Sequence, residues 1–478
     1  MKYRYPGVVP FTRSDEALFF GRDDDSERLY RLIGLEQMVV LYGKSGYGKS
    51  SLLQAAILPR IESELKHITL TVRFTAYQPP KSNGSGNTAI MPAARVVETV
   101  QHWLLENRYT LSEDSYLDRL IKQENSLWYW FKKLQEATGG TTRVLLAFDQ
   151  FEEFFTYPER AQLQLRYQLA ELLFLQIPLN FRNRQSRDEY MHVLSPAERE
   201  LFFEPMNIRV VFSIRSDYMH LMNRLKDYLP QILRHCFELD ALNREQAHDA
   251  IVQPARLAGA EWFSPTFDYT PAALDLLLNF LSDDGTDKIE SFQLQLICRH
   301  IENEIVIDQN YRDIEAGNFG ETPDQQRSYL EDINRQYYNS CIEKIPPEQQ
   351  AVARLIVEDE LVTMEDHRRI TADGGMLVSR YRDRGASLDL LELLKNTYLI
   401  RAENTARGTA YELSHDALVE PIVEAKVTRE EVEKRAARKA IFLRERRRRQ
   451  TATVIAVIGF LLAFLAGGAA WYAFQQRA

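Results

Sequence analysis

Apolar and polar positions divide the chain into a front part in which strands alternate with helices and a rear part dominated by helices. An amphipathic stretch from Ser14 to Ile33, with Ser14 as its N-cap, predicts the first helix, and the apolar run Met38–Tyr42 predicts a buried strand. A helix is expected from Ser50 to about Leu65. In Ile68–Tyr77, Thr69, Thr71 and Arg73 alternate with Leu70, Val72 and Phe74, as in a strand. Arg143–Phe148 is almost wholly apolar, as a strand covered on both faces should be, and Ile208–Ile214 is a further strand. Helical spacing fills Ala93–Ala137 and Glu159–Phe203, and the polar stretch Gln78–Asn87 predicts a surface loop. Strands that alternate with helices in this way predict an α/β fold around a parallel sheet.

From about Asn243 to Lys344 the pattern is helical only. Between Pro346 and Val423 short helices lead into two strand-like runs, Tyr398–Ala402 and Ala410–Ser414, around the turn ENTARG, which predicts a winged helix. The domain organisation expected is therefore 1–242 for the sheet domain, 243–345 for a helical lid and 346–425 for the winged helix. A basic segment, 426–450, and an apolar one, 451–474, complete it.

Composition alters the picture only at the C-terminus. With 478 residues and 45% hydrophobic content, the chain can bury several cores, and Cys236, Cys298 and Cys341 stand too far apart for a metal site or a disulfide framework. The net charge is −9, yet Lys434–Gln450 holds nine basic residues and one acid, so the remainder is more acidic still. That balance argues against a nucleic-acid-binding body and sets the basic block apart. Thr451–Phe474 follows without a charged residue. As a helix it would span about 36 Å at about 1.5 Å per residue, enough for a hydrocarbon core of roughly 30 Å. The basic flank places the bulk of the chain in the cytoplasm as a single-pass inner-membrane protein, with Trp471 and Tyr472 at the far interface. A buried core helix or an interhelical stalk is the plainer alternative.

The chemistry centres on Gly43-Lys44-Ser45-Gly46-Tyr47-Gly48-Lys49-Ser50, which satisfies G-x-x-x-x-G-K-[ST] between a strand and a helix. Gly43, Gly46 and Gly48 let backbone N–H groups curl round phosphates, with Ser51 next to them. Lys49 supplies a point charge to the β and γ oxygens, and the Ser50 hydroxyl is a ligand for Mg²⁺. Asp149, after five apolar residues, emerges where the phosphates lie and is the second Mg²⁺ residue. Glu152 or Glu153 offers a carboxylate to activate water, or else an acid favoured by a helix N-terminus.

Five segments in order, Phe19–Leu29, the loop, Leu145–Thr156, Val210–Tyr218 and Ala250–Gly259, resemble the STAND class of signal-transduction ATPases, specifically its bacterial novel branch. The resemblance spans about Tyr5 to Val423 and implies an AAA+-related core with a lid and a winged helix, closed with ADP and oligomeric with ATP. It implies that Phe20, Gly21 and Arg22 line the adenine pocket, that Arg215 senses the γ-phosphate and that Pro254 packs by the base. Leu413–Leu418 is similar to the His-Asp motif of STAND winged helices, which implies that His415 touches the ADP β-phosphate, although Ser414 departs from the methionine often found there. The plainer readings are an Arg215 paired with Asp217 and a His415 satisfied by the backbone.

The function expected is thus a membrane-anchored ATP/ADP switch, hydrolysing slowly at Lys49, Asp149, Glu153 and Arg215, that forms homo-oligomers on activation by a protein or ligand trigger. Residues 451–474 would meet lipid, with output in bacterial antiviral defence or cell death. The alternative is an AAA+ remodeller that turns over ATP on a protein or nucleic acid. Sequence-specific DNA binding is not expected, because the candidate recognition helix near Ser387–Lys395 carries Asp389 and Glu392 against Lys395.

Overall fold

The computed structural model describes residues 1–75, 77, 90–109, 115–120, 126–140, 142–177, 194–282, 287–405 and 408–475. Strands β1 (Met38–Gly43), β2 (Ile68–Arg73), β3 (Arg143–Asp149), β4 (Asn207–Arg215) and β5 (Cys236–Glu238) form a five-stranded sheet in the order β2-β3-β4-β1-β5. Every pairing in it is parallel. Alternation along the strands serves two cores. Val40, Leu146, Phe148 and Phe212 face an aromatic cluster with Phe74, Phe151 and Phe154. Val39, Leu41, Leu145 and Val211 pack with Leu52, Leu53 and Ile57 of the helix after the loop. Both faces are therefore covered, which is why β1 and β3 read as continuous apolar runs.

Several expected boundaries move. The first helix divides into a short 3₁₀ turn, Arg13–Leu18, capped by Thr12 rather than Ser14, and a helix Asp23–Leu35. Gly21 separates them with φ +80°, a conformation no helix tolerates. The helix after the loop widens into a π segment over Leu52–Ile57. Pro59 lies just beyond, without an N–H and with a ring that would collide with the carbonyl one turn back, so the widened turn accommodates it. β2 stops at Arg73, short of Tyr77. β5 is an unanticipated edge strand, and the lid is not purely helical: β6 (Asp268–Tyr269) and β7 (Asp313–Ile314) pair within it.

The lid has its own core, built on helices Arg244–Arg256, Pro271–Leu281 and Ser291–His300. Tyr5 from the chain's beginning is part of that core, so the N-terminal segment is shared with the lid. The buried Glu302 carboxylate accepts the backbone N–H groups of Arg4 and Tyr5 at 3.0–3.2 Å and the hydroxyl of Ser264 at 2.7 Å. The C-terminal unit holds helices Pro347–Leu355, Gly374–Arg380 and Leu388–Asn396. Its three-stranded sheet has the order β8-β10-β9, with β8 Ala372–Asp373, β9 Ile400–Thr405 and β10 Gly408–Leu413. Its core draws on Tyr338, Cys341 and Ile342 of the long helix Pro323–Glu343, which therefore bridges the boundary expected at residue 345. The strands run longer than the sequence pattern indicated and leave only 406–407 for the turn, outside the described residues. The surface loop expected at Gln78–Asn87 also lies outside them.

One helix, Val419–Gln475, carries both the basic block and the charge-free segment. Many of its side chains beyond residue 439, including all of 440–457, are outside the description, and among the described residues no helix is long and apolar enough to cross a membrane.

Candidate functional site

Register in the sheet brings the site together. Gly43 at the end of β1 stands beside Arg215 at the end of β4, and Arg73 stands beside Asp149 across β2 and β3. The carboxyl ends of parallel strands are where such sheets bind ligands. The loop leaves this edge with Gly46 at φ +85° and Gly48 at φ +91°, the left-handed backbone by which successive N–H groups form an anion nest.

The Ser50 hydroxyl donates to Asp149 Oδ1 at 2.9 Å, and Arg73 pairs with Oδ2 of the same buried carboxylate. A hydroxyl and a carboxylate side by side are hard oxygen donors and fit Mg²⁺. The Lys49 ammonium donates to the carbonyls of Gly43 at 2.8 Å and Lys44 at 3.0 Å, two of its three donors. Burial pushes its pKa down to about 8; Glu152 and Asp149 oppose that shift and Arg215 adds to it. A lysine so placed fits a phosphate chain, which would return the charge stabilisation that burial removes.

Gln150 adopts a left-handed turn at φ 56° and starts the short 3₁₀ segment Phe151–Thr156. Phe151 and Phe154 are buried by it, while Glu152 and Glu153 line the cavity beside the loop. Burial raises the Glu152 carboxyl, and its Oε2 accepts the backbone N–H of Arg215 at 3.4 Å. The Arg215 guanidinium donates to Asp217 at 2.8 Å, the plainer ion pair, and lies over the Tyr218 ring, with its backbone beside Gly43 at the strand ends.

On the nucleoside side, Phe20 and Arg22 line a cavity with Tyr47, Gly48, Leu242 and Ala250. Arg22 is nearly buried and donates to the carbonyls of Tyr47 at 3.0 Å and Asp240 at 2.8 Å, thereby fastening the loop to the start of the lid. A Cβ on Gly21 would stand 2.1 Å from the Gln246 carbonyl oxygen, so the glycine permits the lid helix to approach. Ser51 accepts the Phe11 N–H at 3.1 Å. Pro254 does not join this cavity: its carbonyl accepts from Arg4 at 3.0 Å, and Ala250, one turn earlier, takes the lining position.

His415 closes the site from the C-terminal unit. Its ring lies 3.5 Å from the position a Cβ on Gly46 would take. It stacks on Phe292 with centroids 4.5 Å apart and 5° between planes, and its Nε2 is 2.5 Å from Glu290. Nδ1 accepts the Ala417 N–H at 3.3 Å, so the backbone partner of the plainer reading is also present. Arg73, Glu290, Phe292 and Arg401 are site residues that the sequence did not single out. Arg73 reaches the site through the register of β2 with β3, which the sequence does not show.

A loop with a lysine and serine at its end, a carboxylate in register on β3 and a histidine carried back from the C-terminal unit are the parts of one kind of nucleotide machine. The profile of the family described as Novel STAND NTPase 1 (nSTAND1) matches residues 5–441. The chain is a novel STAND NTPase. No curated protein matches this STAND NTPase. Among solved structures, it is similar to the ORC2 protein of Aeropyrum pernix in its ADPNP-ADP complexes. The identity is 16%, the TM-score 0.40, and the match covers 85% of this chain and 95% of that one. A Walker-type ATPase of Pyrococcus abyssi matches with 12% identity and a TM-score of 0.39, over 87% of this chain and 98% of that one. Cdc6p from Pyrobaculum aerophilum matches with 10% identity and a TM-score of 0.37, over 85% and 94% of the two chains. The STAND NTPase assignment rests on the match to the family over residues 5–441.

Proposed function

We propose that this STAND NTPase is a membrane-anchored switch that reads ATP against ADP and self-associates in the ATP form. The carrying observation is the position of His415, a residue from the far end of the chain held against Gly46 of the phosphate loop. In this reading residues 346–425 act as a winged helix whose seating on the loop depends on the nucleotide phosphates. Lys49 grips the phosphates, Ser50 and Asp149 hold Mg²⁺, and Glu152 or Glu153 activates water. Mg²⁺ held there would neutralise charge on the phosphates.

Self-association gathers the helices that follow Val419, and the segment 451–474 anchors them in the bilayer with the nucleotide domain on the cytoplasmic side. Output at the membrane, in antiviral defence or cell death, is the role this arrangement suits. The test is the mass of the full chain in detergent with ADP and with a non-hydrolysable ATP analogue. A larger assembly with the analogue is expected, and equal masses would overturn the switch. Steady ATP turnover accelerated by a protein or nucleic-acid substrate would point to a remodeller instead.

A further inference from the structure

A cavity of about 130 Å³ lies beside the loop, several times the space that one water needs. Ser45 of the loop, Glu152, Arg215 and Arg401 border it. Three of these come from the sheet edge, but Arg401 belongs to β9 of the C-terminal unit. Arg401 has 19% of its side chain exposed and is paired with Glu412, its cross-strand neighbour on β10. Glu412 is held in turn by the Thr371 hydroxyl at 2.9 Å.

Two guanidinium groups face this one space. Burial lowers the Arg401 pKa, the positive charge of Arg215 lowers it further, and Glu412 opposes both. Like charges brought together in a half-buried site are costly unless anions stand with them, and Glu152 and Glu153 border the same space. Ser45 belongs to the loop and Arg215 stands in register with Gly43, the loop's first residue, so this cavity borders the phosphate-binding edge. It also holds the carboxylates suited to water activation, which puts it on the terminal-phosphate side of the loop.

We propose that Arg401 reads the terminal phosphate of a bound nucleoside triphosphate, exchanging its pair with Glu412 for charge-assisted bonds to the phosphate oxygens. This rests on the loop binding nucleotide as proposed above, and it adds that the C-terminal unit tells tri- from diphosphate itself. His415 and Arg401 then form two seats at the loop, one at Gly46 and one at the cavity beside Ser45. A diphosphate engages only the first, and a triphosphate draws β9 toward the second.

The experiment measures the affinity of the full chain for ADP and for a non-hydrolysable ATP analogue, with fluorescent ADP as the displaced probe. In Arg401→Ala the analogue should bind about tenfold more weakly while ADP changes less than about twofold. Equal losses for both, or no loss for either, overturn the proposal. Arg401→Lys should recover part of the analogue affinity, because the charge returns without the fork geometry. Should Arg401→Ala fail to fold, Glu412→Gln decides. Release of Arg401 should raise the preference for the analogue over ADP at least threefold, and an unchanged preference overturns the proposal. Wild-type protein with equal assembly in both nucleotides would sink the switch while leaving the Arg401 affinity ratio intact, so the two failures are distinguishable.

Discussion

The imidazole of His415 lies against Gly46, although 369 positions of sequence separate them, and Glu290 and Phe292 of the lid hold it there. Three parts of the chain therefore meet at one turn of the phosphate loop. If this contact retains ADP, His415→Ala should release ADP about tenfold faster than wild type, as measured by stopped-flow chase of a fluorescent analogue. An unchanged release rate would mean that the histidine only fills space beside Phe292.

Lys49 makes nucleotide binding sensitive to alkaline pH. Burial sets its pKa at about 8, below the roughly 10.4 of an unfolded lysine, so the folded chain loses this proton first as pH rises. Between these values the unfolded chain holds more protons, and the lysine's contribution to stability increases with pH. Affinity runs the other way, since a neutral amine no longer attracts phosphate. ADP affinity should fall above pH 8 while the melting temperature does not fall with it on this residue's account. A flat affinity profile from pH 7 to 9.5 would contradict the placement of Lys49.

Asp149 has two partners, Ser50 and Arg73, and almost no exposure. Asp149→Asn removes the charge that both answer to, at a cost of about 1–3 kcal/mol in folding stability. It should also abolish most of the gain in ATP affinity that Mg²⁺ provides. Titrating Mg²⁺ against a fixed concentration of analogue measures that gain, and a wild-type response in the variant would remove Asp149 from the metal site.

Gly21→Ala tests the joint between the phosphate loop and the lid. The added Cβ would overlap the Gln246 carbonyl at a backbone φ of +80°, so the helix Arg244–Arg256 must shift. A loss of about 1–3 kcal/mol in chemical denaturation is expected, together with weaker binding of both ADP and the analogue. Wild-type stability would show that the close approach is relieved cheaply.

Much of the α/β core was legible because its central strands are buried on both faces: Val144–Phe148 is an unbroken apolar run, and Ile208–Ile214 is interrupted only by Arg209 and Ser213. The loop and Asp149 could be found because their chemistry requires fixed residue types at strand ends. β5, with three residues, is too short to show a period, and the break at Gly21 sits inside a stretch whose apolar spacing suits one helix. Arg73, Glu290 and Arg401 belong to no local motif. They become neighbours of the site through strand register and the docking of the C-terminal unit, relations that span 76 residues for Arg73 and Asp149 and 125 for His415 and Glu290.

The central claim is that the phosphate state of the nucleotide reaches the C-terminal unit through contacts that unit makes with the loop. Spin labels at the exposed Cys236 and at Lys395→Cys, on either side of that contact, report it as a distance distribution. In ADP the distribution should be narrow and centred on the separation in this structure. With a non-hydrolysable ATP analogue it should move to a different, resolved maximum. Superimposable distributions in the two nucleotides, with both shown to be bound, would contradict the account.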